Sequence, residues 1–216
     1  ALFRELVPGG TSHFTDTVDS DGHGHDNIKL RWRLDVSPTR VVLDGRDSDD
    51  QMPGPVNYLM SHTEPALTFG SFLLAGRRDV SMNAGAEGLF DEVLVREGSI
   101  LQPKFPGALG QRGLTRMRNV AAYLGLFGVA TGGKTPAAHN PYVIWQVRGV
   151  ERDGQPFLMS DGVAVGYGAR PTADGHDAIY LVAQENYPAE FVEASYPLRV
   201  RHYAINRDSE IGRAHV

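Results

Sequence analysis

Cysteine is absent from the 216 residues. That excludes a disulfide framework, a thiolate metal ligand and a thiol nucleophile, and it suits a cytoplasmic protein. Long hydrophobic runs are missing too. The most apolar stretch, VAAYLGLFGVA over Val120–Ala130, is shorter than the about 20 residues a membrane-spanning helix needs, so it reads as the end of a buried helix and no membrane partner is expected. Basic excess is also lacking: 21 Lys and Arg stand against 26 Asp and Glu, for a net charge of −5. With no Lys/Arg block, a nucleic-acid groove is not expected. No secretory leader opens the chain and residue 1 is Ala, so the start is expected to be processed or to lie inside a longer reading frame.

What remains is an ordinary globular composition, 41% hydrophobic and 22% charged, with 25 Gly and 13 Pro spread through many loops. Ile28–Val36, IKLRWRLDV, alternates strictly between apolar and polar side chains, the period of a half-buried antiparallel strand. SPTR then supplies a turn and VVLDG a return strand. A helix is expected over Thr63–Gly76, with Thr63 as cap, Pro65 in the first turn and Gly76 just past the end. A second is expected over about 111–127, where Leu114, Met117, Ala121 and Leu124 recur at helical spacing. Pro141–Val150 and Pro156–Asp161 predict a hairpin with Asp-Gly at its tip. Ala178–Gln184, Glu190–Ala194 and Pro197–Ile205 read as further strands. The expected class is α+β, with an antiparallel or mixed sheet dominating, two main helices and many Gly/Pro loops. Two subregions, about 1–135 and 136–209, are possible divisions.

Four stretches could carry chemistry. VDSDGHGHDN, Val18–Asn27, holds two histidines and three aspartates. As a calcium loop it would place Leu30 where a bidentate Glu is required. As a His-x-His metal pair, His23 and His25 would share one strand face, with Asp26 beside them, but two histidines are an incomplete shell. The competing reading is a turn closed by Asx hydrogen bonds, with the histidines beside it. GVATGGKT, Gly128–Thr135, satisfies the phosphate-loop pattern by letter. A phosphate loop follows a strand and opens a helix, whereas here a helix precedes it and PAAHNP follows. It is expected to be the glycine-rich end of a helix. In GYGARPTADGHD, Gly166–Asp177, Arg170 offers a planar fork for a carboxylate or imide oxygen, followed by Asp174, His176 and Asp177. An Arg–Asp pair pinning a long loop is the structural alternative. Asn57 in PGPVNY and Asn83 in MNAGA suit caps or turns.

Taken in order, MPGPVNY, VSMNAGAEGLFDEVLVREGSILQPKFPGAL, GYGARPTADGHD and EFVEASYPLRVRHYAINRDS resemble the hydantoinase B/oxoprolinase family, over about 14–209. The resemblance implies a B-type subunit of an ATP-dependent cyclic-amide hydrolase acting on hydantoins or 5-oxoproline. It also implies an A-type partner that binds ATP and a divalent metal in the intact subunit. The related acetone and acetophenone carboxylases are the alternative branch, and a non-catalytic scaffold segment is an alternative of another class. The metal ligands that the resemblance implies belong upstream of the matched region. Residues 1–209 are then expected to be a central segment of such a subunit, and Glu210–Val216, EIGRAHV, a non-native tail resembling a translated sequencing adapter. Arg170, Asp174 and His176 are the expected substrate-binding or pocket-organising residues. Asn57 and Asn83 are expected to shape the backbone near them.

Overall fold

The computed structural model describes residues 2–73, 84–136, 143–169, 173–179 and 187–205. The chain forms two compact units, Ala1–Pro136 and Ala137–Val216. The class is α+β with sheets dominating, as expected.

In the first unit, α1 (Leu2–Leu6) leads into β1 (Gly10–Ser20), β2 (Asp26–Val36) and β3 (Val41–Asp44). These three strands pair antiparallel in chain order, and β4 (Glu92–Leu94) adds parallel to β3. The alternation read from β2 holds: Ile28, Leu30, Trp32, Leu34 and Val36 are buried, while Lys29, Arg31, Arg33 and Asp35 are only partly covered. β1 is a strand that polarity conceals. Its covered face carries Phe14, Asp16 and Val18 opposite Trp32, Leu30 and Ile28, and the inward charge of Asp16 is met by the Arg118 guanidinium.

Arg118 lies on α3 (Arg112–Thr131), the long helix that covers this face. Gly125 makes the close approach possible, because a Cβ there would stand 2.3 Å from Phe14 Cζ. Trp32 crosses the layer: its ring packs edge-on to Tyr123 at 5.0 Å and its Nε1 donates to Asn119 Oδ1 at 2.8 Å. α2 (Glu64–Leu73) begins directly after Thr63 and brings Phe69 against Phe127 at 5.0 Å. Phe3 and Phe90 join the same aromatic cluster. Edge-to-face pairs of this kind add to burial because the positive ring edge meets the negative face. The glycines of GVATGGKT end α3. Gly132, at φ 69, donates its N–H to the Val129 carbonyl, and Gly133 donates to that of Gly128. The left-handed turn is a helix stop, not a phosphate cradle.

In the second unit, β5 (Val143–Val150) and β6 (Pro156–Val163) form the expected hairpin, with Gly154 at φ 87 at its tip. β7 (Val165–Tyr167) and β8 (His176–Ile179) form a second antiparallel pair. Two expected strands are corrected here. Ala189–Ser195 is a helix, α4, and Pro197–Ile205 has no regular structure. Ala and Glu favour a helix and Pro188 sits at its N-cap, and this outweighs the β preference of Phe191 and Val192.

Candidate functional site

The β1–β2 turn is organised by one buried carboxylate. Asp21 is 3% exposed. Its Oδ1 accepts the backbone N–H of His23 at 2.7 Å and of His25 at 3.1 Å. Its Oδ2 accepts the N–H of Gly54 at 3.1 Å, from the loop that follows β3. Burial pushes the Asp21 carboxyl up, but the three backbone donors and the His25 imidazole outweigh it and hold the pKa at about 2. The Asx-closed turn is therefore the structure of this stretch, and it clamps a distant loop as well. Gly54 is required there, because a Cβ would lie 2.3 Å from the Asp21 carbonyl oxygen.

Both histidines are oriented by the same residue. Nδ1 of His25 lies 3.1 Å from Asp21 Oδ2, and Nδ1 of His23 lies 3.1 Å from the Asp21 carbonyl oxygen. With acceptors facing each Nδ1, that nitrogen carries the proton in the neutral ring. Nε2 is left as the basic atom on the far side. Asp26 is exposed at the start of β2, paired in register with Ser20. Among the described residues no group of three His, Cys, Asp or Glu side chains converges as a metal shell. His23, His25 and Asp26 thus do not fit a metal centre by themselves.

Asn57 fixes the same loop from its other side. It is fully buried, its Oδ1 accepts the Met52 N–H at 2.7 Å, and its Nδ2 donates toward the carbonyls of Met52, Gly54 and Ala108. Its amide is thus engaged by the backbone of residues 52–57 and of the distant Ala108. Asp21, His23, His25 and Asn57 are brought together through Gly54. Asp174 and His176 lie in the second unit, exposed, with His176 opposite Tyr167 in the β7–β8 ladder. Asn83 and Arg170 lie outside the described residues.

Next to Asn57 runs a buried polar network that pattern reading missed. Glu64 opens α2 at 8% exposure, and its Oε2 accepts from the Tyr58 hydroxyl and from Arg116 Nε at 3.2 Å. Tyr123 donates its hydroxyl to Met60 Sδ at 3.0 Å and accepts from Asn119 Nδ2 at 2.7 Å. Burial raises the pKa of both phenols, helped by the Glu64 carboxylate. Both therefore stay protonated donors near neutrality and cannot act as bases. Only the Glu-Pro start of α2 hinted at a carboxylate in a first turn.

The solvent face of the sheet carries a groove of about 590 Å³ with three arginines. Arg33 pairs with Asp35 and Asp44, Arg46 with Asp44, and Arg40 with Glu92. Arg46 beside Asp44 holds that carboxyl below its usual range. Cations and carboxylates balance, so the groove is an ion-pair lattice and not an anion site.

A family model described as hydantoinase B/oxoprolinase matches residues 2–213. Among curated proteins, none matches the sequence. Among solved structures, the ATP-dependent caprolactamase from Pseudomonas jessenii is similar, with a TM-score of 0.74 at 18% identity. The likeness covers 94% of this chain and 37% of that one, so this chain spans little more than a third of that chain's length. At such identity it is the fold that is shared. The family match runs through both units and nearly every residue: the chain belongs to the hydantoinase B/oxoprolinase family.

Proposed function

We propose that this chain belongs to the B-type subunit of an ATP-dependent cyclic-amide hydrolase, working in the cytoplasm with an ATP-binding A-type partner on a hydantoin, 5-oxoproline or a related small ring. The observation that carries this reading is the family match across residues 2–213. The fold shared with a caprolactamase supports it.

Such a division of labour answers a chemical problem. A ring amide carbonyl is a poor electrophile, and transfer of a phosphoryl group from ATP to its oxygen creates a leaving group. In the net reaction a C–N bond is replaced by a C–O bond from water, and ATP becomes ADP and phosphate. Arg170, Asp174 and His176 are proposed to bind or organise the substrate, and Asn57 and Asn83 to shape the backbone around it. Tyr58 and Tyr123, held protonated, serve this site as hydrogen-bonding groups and not as bases. His25 is the better-placed proton acceptor in the first unit, with Nδ1 tied to Asp21 and Nε2 basic.

The test is turnover by the complex of this subunit with its A-type partner, offered hydantoin, 5-oxoproline and caprolactam. Release of ADP in step with ring-opened product, without bicarbonate, is expected. ATP consumption that requires bicarbonate would put the protein in the carboxylase branch. Ring opening without nucleotide would refute the reading altogether.

A further inference from the structure

Each unit has a groove lined by arginines, and the two grooves treat them differently. In the first unit Arg33, Arg40 and Arg46 are all paired with carboxylates. In the second, a cavity of about 510 Å³ opens beside the β5–β6 hairpin, with apolar walls from Val147, Val163, Val192 and Leu198. Arg199 and Arg201, from the irregular segment that follows α4, line it as well. Among the described residues, neither side chain makes an ion pair or a hydrogen bond. Asp161 lines the same cavity, but it does not neutralise them. Its Oδ1 accepts the N–H of Gly162 at 2.7 Å, and its charge acts on Tyr203, whose phenol is pushed up by burial and by this carboxylate. Two cationic side chains against one carboxylate leave a positive excess along an apolar wall.

We infer that this cavity binds a small carboxylate with an apolar body, its charge taken by Arg199 and Arg201 and its hydrocarbon by the valines and Leu198. A guanidinium stays charged at any physiological pH and presents a planar fork of N–H donors that matches a carboxylate. An exposed arginine alone holds a carboxylate weakly, because water screens the pair. The apolar walls supply what the charge lacks, since each methylene that enters the cavity leaves water. Neither part suffices by itself, so the site selects ligands that carry both. The inference goes beyond the proposed function and stands without it. A lactam such as caprolactam is uncharged, and opening its ring creates a carboxylate on a methylene chain. The cavity would therefore favour the product over its parent ring, and that identification alone rests on the proposed function.

Ligand-observed NMR on the 216-residue chain tests this with hexanoate, hexanamide and acetate at low salt. Hexanamide keeps the chain and loses the charge, while acetate keeps the charge and loses the chain. Saturable binding of hexanoate is expected, with affinity at least tenfold higher than for either of the others. Replacing both arginines, Arg199→Gln with Arg201→Gln, should weaken hexanoate at least tenfold. Both side chains are exposed and unbonded among the described residues, so the fold should survive the exchange. Arg40→Gln, in the paired groove of the first unit, should change nothing. Hexanoate bound no better than hexanamide or acetate, or not bound at all, overturns the site without relying on any variant. Unchanged affinity in the double variant overturns it as well. The two readings fail separately. Ring opening by the complex without carboxylate binding in the cavity removes the site and keeps the function. Selective hexanoate binding with no ATP-dependent ring opening keeps the site and removes the function.

Discussion

Residues 1–136 and 137–216 differ in what they do with their apolar side chains. The first unit closes a four-stranded sheet under α3 and buries Trp32, Phe69, Tyr123, Phe127 and the aliphatic face of β2. Among the described residues of the second, only Met159 and Val192 are buried apolar side chains, while Val150, Leu158, Tyr187, Phe191, Tyr203 and Ile205 are exposed. Its described strands form two separate two-stranded ribbons, and an isolated hairpin is marginal in water. The contrast is between a unit with a continuous aromatic core and one whose described residues bury little apolar surface, which predicts that the second opens more readily.

Core truncation should separate the halves most strongly. Phe127→Ala removes a fully buried ring that packs on Phe3, Phe69 and Phe72, and is expected to cost about 3–5 kcal/mol in the main urea transition. Val192→Ala should leave that transition in place and loosen only the second unit, by about 1 kcal/mol. If Val192→Ala shifts the main transition as far as Phe127→Ala, the division fails.

Two glycines sharpen the contrast at smaller amplitude. Gly125→Ala drives a Cβ to 2.3 Å from the Phe14 ring, beneath α3 in the packed layer, and should cost about 1–3 kcal/mol by overpacking. Gly149→Ala meets the Phe157 ring at 2.4 Å, but that ring lies on the open ribbon and can swing aside. Its effect should stay within about 0.5 kcal/mol. Thermal melts of both variants decide the matter.

The Asp21 clamp is a property of the first unit and has a pH signature. Its folded pKa of about 2 lies below the ordinary aspartate value of 3.8. The stabilisation is thus fully present above about pH 4 and fades as pH falls through 2. Asp21→Asn should lower Tm at neutral pH and flatten the acid limb of the Tm profile between pH 4 and 2. A variant with an unchanged limb would remove Asp21 as its cause. Smallest of all, Arg40→Ala breaks an exposed pair with Glu92 and is expected to change stability by about 0–1 kcal/mol.

Much of this was legible in the sequence where one periodicity dominated. The alternation of β2, the Asp-Gly hairpin at 151–155 and the helical spacing of α3 each translated into the element observed. The phosphate-loop look-alike was readable as a helix end because its flanks were wrong for anything else. β1 was not legible, since an inward Asp16 reads as polar until Arg118, 102 residues away, is known to meet it. α4 was misread because Phe191 and Val192 fit a strand when only a few residues are weighed. In the turn at 19–27, sequence alone could not separate a metal pair from an Asx closure. The deciding partner, the N–H of Gly54, is 33 residues distant and carries no side chain to announce itself.

Amide hydrogen exchange along the intact chain tests the division most directly. Amides of β2 and α3 should exchange only through global unfolding of the first unit, while those of β5 and β6 exchange through much cheaper local opening. Equal protection in β2, α3, β5 and β6 would contradict the division.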